Sequence, residues 1–238
     1  AIMDMFADNT IDAILCARGG TGSIRLLDML DYKLIKKNPK PFIGFSDITV
    51  LLHAITKRCG FSTFHGPMCW NFAQPHDERV MKDFLAVVTN KKKSLQLHFP
   101  EVEVVRAGKV TGALVGGNIT LLQHLIGTPY DWSAKDSILF IEDVEEPLYK
   151  LDRALQQLRL AGRFKDVRAV LVGEMVDVTD DKTAYGRDVK QMVLDVVPPD
   201  VPLCFNFPCG HGRYMTTLPL GAVAHLTLDA SGAGLKLV

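Results

Sequence analysis

The chain has 238 residues and a mass of 26.3 kDa, with 27 basic and 27 acidic side chains and so a net charge of zero. A hydrophobic fraction of 47% beside 23% charged residues excludes intrinsic disorder. The zero net charge argues against a protein that coats nucleic acid or an anionic membrane, and at roughly 150 residues per domain the length fits one large domain or two small ones.

No apolar run approaches the roughly 18 residues of a transmembrane helix, and the pattern of a signal peptide is not seen. The five cysteines, Cys16, Cys59, Cys69, Cys204 and Cys209, are odd in number and form no C-x-x-C pair. They read as reduced thiols of a cytosolic protein, not as a disulfide framework or a zinc knuckle.

Residues 1–6 read as a helix already under way, so the natural N-terminus is expected upstream. Residues 11–17 read as a strand, followed by the turn Arg18-Gly19-Gly20-Thr21-Gly22. Ser23 is placed to cap a helix with Ile24, Leu27 and Leu30 on one face, ended by Pro39 and Pro41. Residues 41–45 form a second short strand. Ile48, Leu51, Leu52, Ile55 and Cys59 then share one helical face, with Asp47 at the positive end of the helix dipole and Gly60 as the stop. Strands and helices alternating over short connections predict a parallel sheet.

Residues 71–105 break this rhythm. Gln74-Pro75-His76-Asp77 and Lys91-Lys92-Lys93 are polar and read as a bridge to a second domain. The lysine run reads as a solvated surface, having too few charges and no aromatics for a nucleic-acid patch. Residues 109–115 resume as a strand, and Gly116-Gly117-Asn118 opens a helix with Leu121, Leu122 and Leu125 on one face. Residues 137–142 read as a strand, 148–158 as a helix, 168–173 as a strand and 189–197 as a helix. From Pro202 the tail is rich in proline and glycine and then strand-like.

Four places could carry chemistry. Ser46, in Gly44-Phe45-Ser46-Asp47, lies between a strand and a strongly amphipathic helix, where a side chain is lifted off a sheet edge beside free N–H groups. That suits a nucleophile with an oxyanion site; the same residues also suit an ordinary N-cap. The Arg18-to-Gly22 turn could bind an anion through its backbone, or be only a tight turn; it matches neither G-x-G-x-x-G nor the Walker pattern. Glu142, Asp143, Glu145 and Glu146 follow a strand, where a carboxylate can orient a histidine or merely face solvent. His211, flanked by Gly210 and Gly212, has a backbone free to turn sharply and an accessible imidazole. Ser46, Glu142 and His211 occur in the order nucleophile, acid, base. His65, in His65-Gly66-Pro67, ends a strand near the candidate nucleophile, while His53, His76, His98 and His124 carry weaker signals. No metal-binding pattern is present.

At these residues the chain resembles the LD-carboxypeptidase (muramoyltetrapeptide carboxypeptidase) family of serine peptidases. The resemblance rests on residues 17–23, 42–49 and 63–68, and then on Gly116-Gly117-Asn118, Gly127-Thr128-Pro129, residues 139–143 and Asp152-Arg153. It ends with Gly210-His211-Gly212 and residues 217–221, all in family order. It implies a Ser46-Glu142-His211 triad working through an acyl-enzyme, without metal or cofactor. Oxyanion and substrate contacts are expected from Asp47, Gly20, Gly19 and Arg18. The implied fold is α/β, a flavodoxin-like parallel-sheet N-terminal domain with a smaller, β-rich α/β C-terminal domain. We expect residues 1–100 to carry the nucleophile, ending in a linker at about 71–100, and residues 101–238 to carry acid and base. The resemblance also implies a preceding N-terminal segment, so this N-terminal domain is expected to be truncated; Thr21 replaces a common aromatic. A cytoplasmic homodimer acting on murein peptides is implied, with no nucleic acid or membrane partner.

Two other readings stand beside it. Related microcin-immunity hydrolases cleave aminoacyl-nucleotide amides and need an aromatic to stack on the base, for which Trp70 or Trp132 could serve. A non-catalytic nucleotide- or anion-binding α/β module would use residues 19–22 and Gly116-Gly117.

Overall fold

The computed structural model describes residues 1–90 and 94–238, so the reading of Lys91-Lys92-Lys93 as a solvated surface lies outside the described residues. The first part contains α1 (Ile2–Ala7), β1 (Ile14–Leu15), α2 (Tyr32–Lys37), β2 (Phe42–Gly44), α3 (Thr49–Cys59) and β3 (Phe64–His65). Helices α4 (Cys69–Phe72) and α5 (Arg79–Val88) follow, then strands β4 (Leu95–Phe99), β5 (Glu103–Arg106) and β6 (Gly108–Asn118). Helix and strand then alternate through α6 (Ile119–Leu125), β7 (Ser137–Val144), α7 (Leu148–Leu160), β8 (Ala169–Val176) and α8 (Val189–Val196). Four strands close the chain: β9 (Leu203–Phe207), β10 (Leu218–Pro219), β11 (Val223–Asp229) and β12 (Gly232–Leu237). Among the described residues no helix is long and apolar enough to cross a membrane.

These elements form an α/β fold with two sheets. The first is four-stranded, in the order β1-β2-β3-β10, with β1, β2 and β3 parallel and β10 antiparallel to β3. The second is eight-stranded, in the order β4-β12-β11-β6-β7-β8-β9-β5. Its centre, β6 to β9, is parallel and its wings are antiparallel. Strand β7 is buried along nearly its whole length and β8 over residues 169–173, which is why these stretches read as unbroken apolar runs without alternation. Among the described residues the β-rich part is the larger of the two.

The parts share one continuous core, and the chain crosses between them three times. Strand β10 returns from the C-terminal half to complete the first sheet. Helix α3 packs on α6, and a Cβ on Gly117 would fall 2.7 Å from the methyl of Thr49. Gly116 is equally confined, since an added Cβ would lie 1.8 Å from the Phe140 carbonyl oxygen. This glycine pair permits close backbone packing and is not an open phosphate cradle.

Two local expectations change. The 23–30 segment is a 3₁₀ helix, Ser23–Met29, and Ser23 does not cap it. Gly22 holds the cap position at φ 108°, while the Ser23 N–H donates to the Asp47 carboxylate at 2.9 Å. The stretch 71–100, read as a linker, carries the end of α4, the whole of α5 and an edge strand of the second sheet. Helix α5 buries Val80, Asp83 and Val87. Asp83 interrupts the apolar face because it accepts hydrogen bonds from Tyr214 (2.6 Å) and Thr216 (3.1 Å).

Candidate active site

The turn after β2 is the sharpest local feature of the first sheet. Phe45 is extended, and Ser46 then adopts φ 59°, in the left-handed region that non-glycine residues rarely occupy. A short 3₁₀ turn, Ser46–Ile48, continues into α3. The turn is possible because a Cβ on Gly44 would lie only 2.8 Å from the Ile48 side chain. Gly19 leans on the serine from the other side, where an added Cβ would be 3.2 Å from its Oγ. Asp47 is buried, and through Ser23 it ties the glycine turn to the serine turn. The first turn of a helix leaves its N–H groups without intrahelical partners, so this region is rich in donors.

The second arm comes from the eight-stranded sheet. Glu142, in β7, is fully buried, and its Oε2 lies 2.7 Å from Nδ1 of His211. The loop bearing His211 connects β9 to β10. Its glycines do not adopt left-handed φ values. They are required by proximity instead: a Cβ on Gly210 would lie 2.9 Å from the Glu174 carbonyl and 3.1 Å from Cβ of Glu142, and one on Gly212 would overlap the Glu174 carboxylate. The backbone does bend over residues 210–213, and tight packing requires the glycines there without a left-handed φ.

Burial pulls the pKa of His211 down, but the hydrogen bond and charge of Glu142 outweigh it. With Asp143 and Glu145 adding negative potential, the net shift is upward. Engaging Nδ1 with a carboxylate leaves Nε2 free.

Ser46 and His211 line one cleft of about 350 Å³, although among the described residues no hydrogen bond joins them. Catalytic hydrogen bonds are commonly long before substrate arrives. Arg18, Gly19 and Gly20 form one wall, and Arg213, following the His211 loop, contributes to another. Among the described residues no carboxylate lines the cleft. Arg18 lies over the Trp70 ring, 5.5 Å from its centroid, and Trp70 is 53% exposed.

The other sequence candidates are accounted for. Asp143 accepts hydrogen bonds from Asn118 and Thr120 and so anchors the start of α6. Glu145 occupies a left-handed turn, and Glu146 approaches Lys150 at 4.0 Å. Trp132 is buried with its indole N–H on the Leu122 carbonyl, outside the cleft. His53 is buried against the Gly116 carbonyl at 2.8 Å. Sequence reasoning missed Arg213 and the wall formed by Asn71, Gln74, Pro75 and His76. Arg213 was detectable by adjacency to His211; the wall was hidden because a polar, proline-punctuated stretch looks like a connector.

Comparisons with known proteins agree with this architecture. A family model described as the LD-carboxypeptidase N-terminal domain matches residues 1–66, and one described as its C-terminal domain matches residues 111–226. A probable murein peptide carboxypeptidase of Bacillus subtilis is 35% identical over 229 residues, covering 93% of this chain and 70% of that protein. The microcin C7 self-immunity protein MccF of Escherichia coli is 30% identical over 252 residues, covering 92% and 72%. The crystal structure of a muramoyltetrapeptide carboxypeptidase from Oxalobacter formigenes superposes with a TM-score of 0.87 at 30% identity, covering 99% of this chain and 82% of that one. The chain therefore belongs to the LD-carboxypeptidase family of serine-type peptidases.

Proposed function

We propose that Ser46, Glu142 and His211 form the triad of a carboxypeptidase that releases the terminal D-alanine of murein tetrapeptides by hydrolysing an L-to-D peptide bond. The observation that carries this reading is that a serine on a left-handed turn and a carboxylate-bonded histidine open onto one cleft lined by two arginines and no carboxylate.

His211 accepts the Ser46 hydroxyl proton through Nε2 as Oγ attacks the scissile carbonyl. The negative oxygen is held by backbone N–H groups of Asp47 and Gly20, which stabilise charge that develops only in the transition state. His211 then protonates the departing amine of D-alanine, and water releases the acyl group by the reverse path. Glu142 fixes the tautomer of His211 and stabilises its charged form. Arg18 receives the substrate's terminal carboxylate, which needs a cation without a carboxylate competitor; Gly19 lets the Arg18 loop approach Ser46. The steps draw only on this chain and water. A cytoplasmic homodimer completes the proposal.

The test is incubation with L-Ala-γ-D-Glu-meso-diaminopimelate-D-Ala, following D-alanine by mass spectrometry. Release by the wild type, with a loss on the order of 10⁴-fold or more in Ser46→Ala, is expected. Absence of release from folded protein refutes the murein substrate, and release surviving in Ser46→Ala refutes the nucleophile. The exposed Trp70 beside Arg18 supports a second reading, an aminoacyl-nucleotide amide stacked on the indole. Cleavage of a glutamyl sulfamoyl nucleoside in place of the peptide would select it.

A further inference from the structure

His65 lies where the two arms of the site meet. It ends β3, paired with Gly44 of β2 on one side and Leu218 of β10 on the other. Strand β2 leads directly into Ser46, and β10 follows the His211 loop. The strand carrying His65 is thus the one that separates the nucleophile's strand from the first strand after the base.

The side chain adds a specific link. The imidazole has no exposed surface, and its Nε2 lies 2.7 Å from the Cys209 carbonyl oxygen. A carbonyl can only accept, so the proton resides on Nε2. Nδ1 is buried without a partner, and a second proton there would be an unpaired interior charge. Burial accordingly holds the pKa at about 4, with His211 pushing the same way against the Cys209 bond. The ring also touches Phe45, the residue before Ser46, at a centroid distance of 5.9 Å, and Phe45 lies 4.7 Å from the ring of His211. Cys209 connects to His211 through Gly210, whose close packing on Glu142 leaves little slack.

We infer that His65 is a positioning residue: its neutral Nε2–H, donated to the Cys209 carbonyl, holds the His211 loop in register with the Ser46 turn. The inference rests on the triad reading above. Phenylalanine would fill the same space but leave the carbonyl unbonded, which explains why an imidazole occupies this apolar position.

The test uses the rate of Ser46 labelling by a fluorophosphonate, which reports triad assembly whatever the natural substrate. His65→Gln places an amide donor near the Nε2 position, and labelling within about threefold of wild type is expected. His65→Asn falls short and His65→Phe has no donor; both should label more slowly by on the order of 10- to 100-fold, the scale of a misplaced catalytic group. The KM for the cleaved peptide should change little while kcat falls. Equal labelling in all three variants, or losses that simply follow the melting temperature, overturns the inference. Imidazole ¹⁵N resonances of the wild type give a check independent of variant folding. A neutral Nε2–H ring at pH 7 is expected, and an Nδ1–H tautomer or a charged ring overturns the inference. Absence of labelling in the folded wild type would instead sink the triad reading and this inference together.

Discussion

Two glycine-rich loops flank the cleft, and they use glycine for different reasons. In the Arg18-to-Gly22 turn, Gly20 and Gly22 have φ values of 142° and 108°, and an added Cβ on either meets nothing within 4 Å. Their requirement is conformational and written locally. In the His211 loop, Gly210 and Gly212 have no such φ, and an added Cβ would strike Glu174 or Glu142. Their requirement comes from another strand. One loop would keep its shape preference in isolation, whereas the other acquires its shape by docking on the eight-stranded sheet.

The largest test of that difference removes the charge beneath the docked loop. Glu142→Gln keeps an acceptor for Nδ1 of His211 but not the carboxylate, and kcat/KM should fall on the order of 10²- to 10⁴-fold. The pH profile should move with it. Since Glu142 raises the pKa of His211 against the pull of burial, the wild-type acid limb should lie above the roughly 6.5 of an ordinary imidazole. Activity appears as pH rises through that limb, because the neutral ring is the base; in the variant the limb should shift to lower pH. Stability runs the opposite way. The pair's contribution is complete below the unfolded pKa and is lost as pH rises through the raised folded value. Rates measured from pH 5 to 9, with denaturant melts at the same points, check both signs.

Smaller effects separate the two glycines of the docked loop. At Gly210 the obstacles are a backbone carbonyl and the Cβ of a buried residue, neither able to step aside. Gly210→Ala should therefore lower kcat by about 10- to 100-fold through displacement of the base. At Gly212 the obstacle is the flexible end of the half-buried Glu174 side chain, whose buried Oε2 has no hydrogen-bond partner to hold it, so it can rotate away. Gly212→Ala should lose less than about tenfold by the same argument. Equal effects would show that loop conformation, not packing, sets the requirement.

The same contrast explains what was legible from sequence. The Ser46 turn was readable because its determinants are contiguous: an apolar strand, a serine and a helix with a clean apolar face. The bend around His211 was readable from its glycines, but the packing that also requires them was not, since their partners lie in other strands. Glu142 could not be told from Asp143, Glu145 or Glu146, because β7 is buried on both faces and shows no alternation to mark direction. Helix α5 was hidden by Asp83, a polar residue on the inward face whose partners, Tyr214 and Thr216, are far along the chain. Strand β4 does alternate, with Leu97 and Phe99 buried, but the lysine run before it and Pro100 after it made it look like a connector.

The smallest effect concerns the locally encoded side. A left-handed φ at a residue with a Cβ costs about 1–2 kcal/mol, a cost that glycine avoids. Ser46→Ala keeps the Cβ and thus the strain, whereas Ser46→Gly releases it, and neither leaves a nucleophile. The glycine variant gives back part of the gain because its unfolded chain has more conformational freedom to lose. We expect Ser46→Gly to exceed Ser46→Ala by about 1 kcal/mol, and a chain of this size should then melt about 2–4 °C higher. Calorimetry of the two inactive variants isolates the strain from the chemistry. A glycine variant no more stable than the alanine one would mean that the turn is imposed by Gly19, Gly44 and Asp47 without strain at Ser46 itself. The locally encoded turn would then depend on its surroundings as fully as the His211 loop does.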